Sequence, residues 1–381
     1  MTDARTADVP AIIRNEVRVQ KLLTRTHRHV EFRVGRRAGL DLPLWLYIQA
    51  LCPRYPRDFT ARWCDQGHIT VDGVIAAADQ GVATGQLVIL HVPLPPPDPG
   101  YTPPPLEVLW QDGRLAVLIK QPGHLAHQAG KIMTGTLINQ LQDWALDNGL
   151  NAASIRLVNR IDRDTSGLVL ASFDLEAHVA ASALITSRAV FKGYQAICHG
   201  RPATDHDHWR EAIGERHPNS IVQMIRADGL ACDTEYRIAA VAGSRGRGVA
   251  ESDDQTATSI VSGLSDVDSA TPRPRDPATA DFSLLSITLH TGRQHQIRIH
   301  AAHHGCPLVG DWLYGTPCAE LPGQALHAAE LGFTHPLTGE AMRFTAPLPA
   351  KFSALWQHLA GGGDVTAIPL NDAQQQRRDQ G

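Results

Sequence analysis

Apolar positions along the chain repeat with two different periods. Between residues 106 and 360, apolar runs of strand length alternate with longer runs whose apolar positions recur at helical spacing. The strand-like runs are Glu107–Trp110, Leu115–Ile119, Gly167–Ser172, Tyr194–Cys198 and Leu284–Leu289, and the helix-like runs are Thr136–Asn148 and Leu175–Ser187. This mixture predicts an α+β domain built around a mixed, mostly antiparallel sheet.

A second group of runs, between residues 34 and 93, is shorter. Helix-like runs at Leu44–Leu51 and Thr60–Gln66 precede an alternating run, Gly67–Val74, which closes on an Asp-Gly pair, a strong signal for a β-hairpin. A further strand is predicted at Gln86–Val92, after a glycine turn. These elements predict a small α/β module in front of the larger domain.

Composition marks the boundaries between these parts. Eight of the thirteen residues from Pro93 to Pro105 are proline, so residues 94–105 are predicted to form an extended, semi-rigid linker. Residues 243–280 lack apolar periodicity and hold five acids without Lys or Arg between Val249 and Thr271, which predicts a disordered surface insertion. Residues 361–381 are expected to form a similar disordered tail, and residues 1–33 a basic N-terminal segment.

Charge narrows the possible partners. The chain has 381 residues, 43% hydrophobic composition and a formal net charge of −4, which argues against indiscriminate coating of nucleic acid but allows one basic groove. The segment between residues 12 and 40 is basic, and five of its cations recur at steps of four and three: Arg14, Arg18, Lys21, Arg25 and Arg28. If this segment is helical, they share one face, which is either a solvated surface or a contact for an RNA backbone.

Other features set the expected compartment. No apolar run approaches the ~18 residues of a membrane-spanning helix, and the N-terminus lacks the basic-then-apolar order of a signal peptide. The six cysteines are scattered without zinc-ligand spacing and are expected to be reduced thiols. We therefore expect a cytoplasmic protein without membrane contacts.

Two polar clusters carry the candidate chemistry. In the first, Asn159–Leu170, Asp162 stands between two arginines and is followed by a turn and an apolar run. Positive neighbours favour the charged form of an aspartate, so this carboxylate can stay ionised near phosphate. The alternative for Asp162 is a turn or helix-cap role, because the surrounding residues are also typical of turns. The second cluster, Thr291–His300, contains Arg298 in a Gln-Ile-Arg string.

Together with four further segments in the same order, these clusters resemble the signature of the RluA-type pseudouridine synthases. The further segments are Lys120–His127, Lys192–Ala196, Thr234–Tyr236 and Leu326–Pro336. The resemblance covers about residues 106–355 and implies the catalytic domain of that family at residues 106–360. Asn159 stands where the family usually has histidine, a departure that concerns substrate detail more than chemistry. Residues 34–93 resemble the αL-type RNA-binding module named after the fourth small-subunit ribosomal protein.

The resemblance implies isomerisation of specific uridines to pseudouridine in structured RNA, with ribosomal RNA as the first candidate and transfer RNA as the alternative. The target base flips out of its stack, and an aspartate-dependent rearrangement moves the glycosidic bond. The implied catalytic residues are Asp162, its ion-pair partner Arg298, and Tyr194, which stacks on the uracil and helps remove the carbon-5 proton. The implied substrate-binding residues are Arg160, Arg293, His295 and Gln296.

Structural alternatives accompany these assignments. The alternative for Tyr194 is a core residue, and the alternative for Arg160 and Arg293 is a pair of surface salt bridges. Asp164 is expected to be a cap or a surface charge. For the whole chain, the alternative is a non-catalytic RNA-binding or ribosome-assembly factor on the same fold, and the presence of both Asp162 and Tyr194 favours the enzyme.

No cofactor is predicted from the sequence. Four histidines between residues 295 and 304 lie near Asp311, but their spacing fits no zinc-enzyme pattern and the isomerisation needs no Lewis acid, so no metal is expected. His295 and His300 are instead expected to orient the strand that carries Arg298 by hydrogen bonding. Phosphate-binding and dinucleotide-binding glycine motifs are also absent from the sequence. The expected partner is structured RNA, and the expected oligomeric state is a monomer.

Overall fold

The computed structural model describes residues 13–14, 19–24, 27–35, 42–96, 100–129, 132–218, 220–243 and 281–372, together with Gln374, Gln375 and Arg378. The chain divides into two compact units, one formed by residues 1–101, 133–135 and 139–155, and the other by residues 102–132, 136–138 and 156–381. Residues 139–155 therefore belong with the N-terminal unit, not with the larger domain as the sequence suggested. In the described part of the chain, no helix is both long and apolar enough to cross a membrane.

The N-terminal unit contains one antiparallel sheet of five strands. Its elements are β1 (Val19–Leu23), β2 (His27–Arg33), β3 (Leu42–Pro43), α1 (Leu44–Leu51), α2 (Arg57–Asp65), β4 (Ile69–Val71), β5 (Val74–Ile75), β6 (Gly81–Val82), β7 (Leu87–Pro93), α3 (Leu137–Asp147) and a 3₁₀ helix (Ala152–Ser154). The order in the main sheet is β1-β2-β7-β4-β5, and β3 pairs with β6. Most of α3 belongs to this unit, and the 3₁₀ helix packs against β1.

The two predicted helices and the hairpin of this module are confirmed. Asp72 and Gly73, between β4 and β5, have φ angles of 51° and 83°, and positive φ at both central residues is the requirement of a type I′ turn. The Asp72 carboxylate also accepts the backbone N–H of Leu87 at 2.8 Å. The Asp-Gly pair thus sets both the turn and the start of β7.

Residues 19–23 and 27–33 of the basic segment form strands, whereas Ile13 and Arg14 are helical, so the single helical face proposed for the five cations is wrong. Val30, Phe32 and Val34 alternate along and just beyond β2, and the last two are buried. The two-residue period of these apolar residues therefore predicts the observed strand, and it outweighs the four-and-three spacing of the cations, which suggested a helix. Lys21 and Arg28 are exposed on the β1–β2 hairpin, Arg14 is exposed, and the other two cations of the set lie outside the described residues.

The C-terminal unit contains a ten-stranded sheet that confirms the predicted α+β class. Its elements are β8 (Glu107–Gln111), β9 (Leu115–Lys120), β10 (Arg156–Leu157), β11 (Ser166–Ser172), α4 (Leu175–Thr186), β12 (Phe191–His199), β13 (His206–Trp209), β14 (Ile213–Glu215), β15 (Gln223–Ile225), β16 (Thr234–Ala242), β17 (Phe282–Leu289), α5 (Gln296–His303), β18 (Leu326–Thr334), β19 (Ala341–Thr345) and α6 (Ala350–Ala360). The order is β13-β16-β17-β12-β18-β11-β9-β8, with β10 beside β11 and β19 beside β18. Among the described pairs of this sheet, β11 and β18 run parallel and the rest antiparallel.

Helices cover this sheet through small or periodic apolar residues. On α6, the buried positions Phe352, Leu355, Trp356 and Leu359 follow the spacing of one helical face, and they join the core with residues of β16 and β17. On α4, Ala177 and Ala181 pack in a second core with β9 and β11. Burial of these faces fixes the sheet on which the candidate site is built.

The expected tail is partly anchored. Ala367 bridges Cys318, and the backbone N–H of Ile368 donates to the carbonyl of Pro317 at 3.2 Å. Val365 packs on the core that contains α6, so its apolar surface explains why the segment stays against the domain. The disordered tail predicted from residue 361 is therefore wrong for this part. Residues 244–280 of the predicted insertion lie outside the described residues.

Candidate active site

All seven site residues predicted from the sequence line one pocket. The pocket has a volume of about 310 Å³. Those seven residues are Arg160, Asp162, Tyr194, Arg293, His295, Gln296 and Arg298. Apolar side chains complete the wall, among them Leu157, Val158, Ile161, Ile185, Leu289, Ile297 and Leu326. A largely apolar pocket with a few converging charged groups is typical of a site that binds a small molecule or part of a larger one.

Asp162 lies in the loop that leads into β11, and local contacts hold this loop. The side-chain oxygen of Asn159 accepts the backbone N–H of Leu170 at 2.7 Å and so fastens the loop to the strand. Gly167 has a φ of 113°, and a Cβ at this position would lie 2.2 Å from the carbonyl oxygen of Ala328. Only glycine permits that approach of β11 to β18. Asn159, the departure from the family pattern, thus has a structural role in this chain.

Arg298 joins two carboxylates in the wall of the pocket. Its Nη1 donates to Asp162 Oδ2 at 3.1 Å, while its Nε and Nη2 donate to the two carboxylate oxygens of Asp311 at 2.7 and 2.8 Å. The Arg298 side chain is 5% exposed and that of Asp311 1%. Burial acts to raise the pKa of Asp311, but Arg298 and the backbone N–H groups of Leu313 and Tyr314 bring it below the usual value. The result is a fixed, charged support behind Asp162.

Arg298 lies on the helix α5, and not on a strand as the sequence suggested. The helix begins after His295, which has a left-handed φ of 57°. The buried amide of Gln296 accepts the hydroxyl of Thr291 at 2.9 Å and donates to the hydroxyl of Thr234 at 2.8 Å. These tertiary contacts fix the first turn of the helix. Because the Gln296 amide is occupied by the protein, this residue contributes to the pocket by holding α5.

Two histidines of the second cluster support the same helix. His295 Nδ1 lies 2.8 Å from the hydroxyl of Tyr314, and His300 Nδ1 lies 2.9 Å from the hydroxyl of Thr234. His295 Nε2 is 4.0 Å from Asp162 Oδ2, but burial lowers the pKa of His295 to about 4. The imidazole is therefore neutral at neutral pH and leaves Arg298 as the cation beside Asp162. The expected support of the Arg298 segment by these histidines agrees with the contacts, although the segment is a helix.

Tyr194 stands on β12 and is 8% exposed. Tyr194 also lines the pocket, so its side chain both packs in the core and borders the site. Burial raises the pKa of Tyr194 above its usual value, and the nearby charge of Asp162 raises it further. The side chain is therefore a neutral phenol at neutral pH, and it offers the pocket an aromatic ring and a hydrogen-bond donor.

Cations line the opening of the pocket. Arg160 and Arg293 are exposed, and neither forms an ion pair within the described ranges, which is at odds with the surface-salt-bridge alternative. Lys192 was not recognised from the sequence, where its segment was noted for Tyr194. It also lines the pocket, and burial lowers its pKa, helped by the charge of Arg188. These groups give the opening a positive character suited to phosphate.

The sequence analysis also did not predict the burial of two charged residues beside the Asp162 loop, Lys120 and Asp164. Lys120 is fully buried, and its ammonium group donates to the carbonyls of Gln121, His124 and Arg163 at 3.0, 2.8 and 2.7 Å. It therefore ties the end of β9 to the residue after Asp162, and burial lowers its pKa to about 7. Asp164 was expected to be a cap or a surface charge, but its side chain is 6% exposed and pairs with Arg163 at 2.8 Å. Lys120 could have been found from the sequence, because it is a single charged residue at the end of the apolar run Leu115–Ile119.

The fold and the pocket define an α+β enzyme domain with a carboxylate supported by a buried arginine. Residues 114–303 match the family model described as RNA pseudouridylate synthase. An RNA pseudouridine synthase of Bacillus subtilis, YjbO, is 33% identical over 66% of this chain and 76% of its own length. The ribosomal large subunit pseudouridine synthase D of Xanthomonas campestris is 30% identical over 82% of this chain and 87% of its own length. The human RNA Pseudouridylate Synthase Domain Containing 1 structure has a TM-score of 0.47 at 19% identity, covering 74% of this chain and 97% of that one.

The chain belongs to the RNA pseudouridylate synthase family, and its resemblance to the RluA-type members is confirmed. It is an RNA pseudouridine synthase, an isomerase that converts uridine to pseudouridine in RNA.

Proposed function

We propose that this synthase modifies large-subunit ribosomal RNA and that Asp162 is the carboxylate on which its reaction depends. The observation that carries the proposal is the geometry of Asp162, whose Oδ2 is held by Arg298 at 3.1 Å inside the pocket. Its Oδ1 accepts no hydrogen bond from the described residues, so it is the oxygen that can approach the sugar. The choice of RNA is supported by relatives named for the large ribosomal subunit.

The reaction breaks the bond between the ribose and nitrogen 1 of uracil and forms one between the ribose and carbon 5. Carbon 5 loses a proton and nitrogen 1 gains one, so nothing else is consumed. The target nucleotide first flips out of its stack, at a cost of a few kcal/mol, into the apolar pocket. Asp162 then attacks the sugar or removes one of its protons. Either step requires the negatively charged carboxylate, and Arg298 places a positive charge 3.1 Å from one of its oxygens.

The substrate assignment is tested by mapping pseudouridine in RNA treated with the purified protein. Unmodified large-subunit rRNA, small-subunit rRNA and total tRNA serve as parallel substrates, and RNA incubated without the protein is the control. We expect new pseudouridine at one or a few positions of large-subunit rRNA. Modification confined to tRNA would overturn the ribosomal assignment. A protein that bound these RNAs and modified none of them would favour the non-catalytic factor.

Tyr194 is proposed to stack on the flipped uracil and to assist the departure of the carbon-5 proton. Base–aromatic stacking contributes about 1–3 kcal/mol per base, and proton transfer by a placed side chain contributes about 10²–10⁴-fold in rate. We expect Tyr194→Phe to keep RNA affinity and to slow pseudouridine formation about 100-fold. Tyr194→Leu is expected to lose affinity as well. Single-turnover rates and equilibrium binding on one RNA check both results, and an unimpaired Tyr194→Phe would exclude a role for the hydroxyl.

The β1–β2 hairpin is proposed to contact the RNA backbone. Its register pairs Lys21 with Val30 and Leu23 with Arg28, which places the two cations on one face. We expect the double variant Lys21→Gln/Arg28→Gln to bind RNA more weakly, with the slope of log affinity against log salt reduced by about two. Turnover at saturating RNA should be retained. The control is Lys351→Gln, an exposed lysine of the other unit, and equal salt slopes for the two variants would argue against docking by the hairpin.

A further inference from the structure

Five side chains with nitrogen or oxygen ligand atoms meet around strands β13, β16 and β17, at the edge of the large sheet. They are His206, His208, Asp233, Glu235 and His290. The set consists of two groups of three that share His208, and in each group the ligand atoms lie within 4.8 Å of one another. None of the five residues lines the pocket described above.

Strand pairing holds these side chains together. His206 and His208 are two residues apart on β13, so their rings project from the same face of the sheet. The register pairs His208 with Glu235 and Glu235 with Thr288, and His290 lies two residues beyond Thr288. Asp233 directly precedes β16. The backbone hydrogen bonds of three neighbouring strands therefore fix the cluster before any ligand arrives.

Both carboxylates already contact imidazole nitrogens, two in the case of Glu235 and one in the case of Asp233. His206 Nε2 and His290 Nε2 lie 3.0 and 2.9 Å from the two oxygens of Glu235. His208 Nδ1 lies 2.7 Å from Asp233 Oδ1. The side chains are between 26% and 43% exposed, so a solvated ion can reach them.

We propose that this cluster binds a divalent transition-metal ion, with Zn²⁺ as the reference ion. A set of imidazole nitrogens and carboxylate oxygens suits Zn²⁺, Co²⁺, Ni²⁺ and Cu²⁺, whereas Mg²⁺ and Ca²⁺ prefer oxygen alone. In a tetrahedral zinc site with bonds of about 2.0–2.1 Å, neighbouring ligand atoms are about 3.3 Å apart. The imidazole–carboxylate pairs need to separate by about half an ångström to reach that spacing. The ion then takes the place of the proton in each contact, since metal ligands must be deprotonated.

The guanidinium of Arg210 lies beside the cluster and does not block it. Arg210 Nε is 3.5 Å from Asp233 Oδ2, and its side chain is 65% exposed. This exposure lets the guanidinium turn into solvent and leave Asp233 to the ion. The backbone carbonyl of Asp233 accepts Gln296 Nε2 at 3.2 Å. A bound ion would therefore brace the strand end next to the first turn of α5.

The test is a titration of the full chain, prepared without a polyhistidine tag and treated with a chelator. Zn²⁺ binding is measured by calorimetry in the wild type and in His208→Ala, which removes the ligand shared by both groups. The matched control is His217→Ala, an exposed histidine outside the cluster. We expect one ion per chain, an affinity lowered at least about tenfold in His208→Ala, and no change in His217→Ala. Glu235→Gln, which keeps side-chain size, repeats the test if His208→Ala folds poorly and is also expected to bind more weakly.

Two further readouts identify the ligands. Co²⁺ in the site should give visible d–d absorption without the thiolate charge-transfer band that cysteine ligands produce. Zn²⁺ should raise the Tm of the wild type and of His217→Ala, since an ion that binds only the folded state stabilises it, but not that of His208→Ala. Affinity that is equal in the wild type and His208→Ala, or a thiolate band, would overturn the assignment. The result does not depend on which RNA the enzyme modifies.

Discussion

Asp162→Asn is expected to abolish pseudouridine formation while the protein stays folded. The amide keeps the size of the side chain and removes the charge that the sugar chemistry requires. We expect the single-turnover rate to fall at least about 10³-fold, within the range that one placed acid–base group contributes. RNA affinity should stay within a few-fold of the wild type, because Asp162 is proposed to act on the sugar and not to hold the phosphates.

The structure explains why Asp162→Asn should leave the stability of the folded protein nearly unchanged. Arg298 keeps its two contacts with Asp311 when Asp162 loses its charge, so no buried guanidinium is left unpaired. The matched control is Asp228→Asn, which removes an exposed carboxylate paired with Arg226 outside the pocket. Pseudouridine yield, RNA binding and thermal unfolding are compared in the three proteins. Substantial product from Asp162→Asn on an RNA that the wild type modifies would refute the role of Asp162.

The pocket residues were identified from the sequence through the resemblance of their segments to the motifs of the family. Asp162 precedes the buried strand β11, and Tyr194 lies on β12. Both strands are apolar runs whose type is decided locally. The geometry that links these residues was not accessible, since Arg298 meets Asp162 across 136 residues of sequence. In the sequence, Asp311 was noted only for its position near four histidines, and its double contact with Arg298 appears only in the fold.

Two segments were assigned the wrong element for opposite reasons. In α5, Ile297 and Ile299 alternate with polar residues as in a strand, but the hydrogen bonds that Gln296 accepts from Thr291 and donates to Thr234 fix a helical turn. At the N-terminus, cations at helical spacing suggested a helix. The segment forms strands instead, because Phe32 is buried on a strand that pairs with β7. In both segments, contacts with distant residues outweigh the local pattern, as is common for short elements.

Arg298→Ala is expected to lose both activity and stability, in contrast to Asp162→Asn. The substitution leaves the buried Asp311 without its partner, and breaking a buried ion pair from one side costs about 3–5 kcal/mol. It also removes the guanidinium that contacts and orients Asp162. We expect the free energy of unfolding in urea to fall by that amount and the rate to fall at least about 100-fold.

Arg298→Lys separates these two effects. A lysine restores one positive charge beside Asp311, but a point charge cannot make the parallel contacts of a guanidinium or bridge two carboxylates. Stability should therefore recover more than rate. Arg226→Ala is the matched control, because it breaks an exposed pair with Asp228, and exposed pairs contribute little to stability. Near wild-type turnover of Arg298→Ala would show that Asp162 works without this support, and an unchanged free energy of unfolding would show that the buried pair with Asp311 does not stabilise the fold.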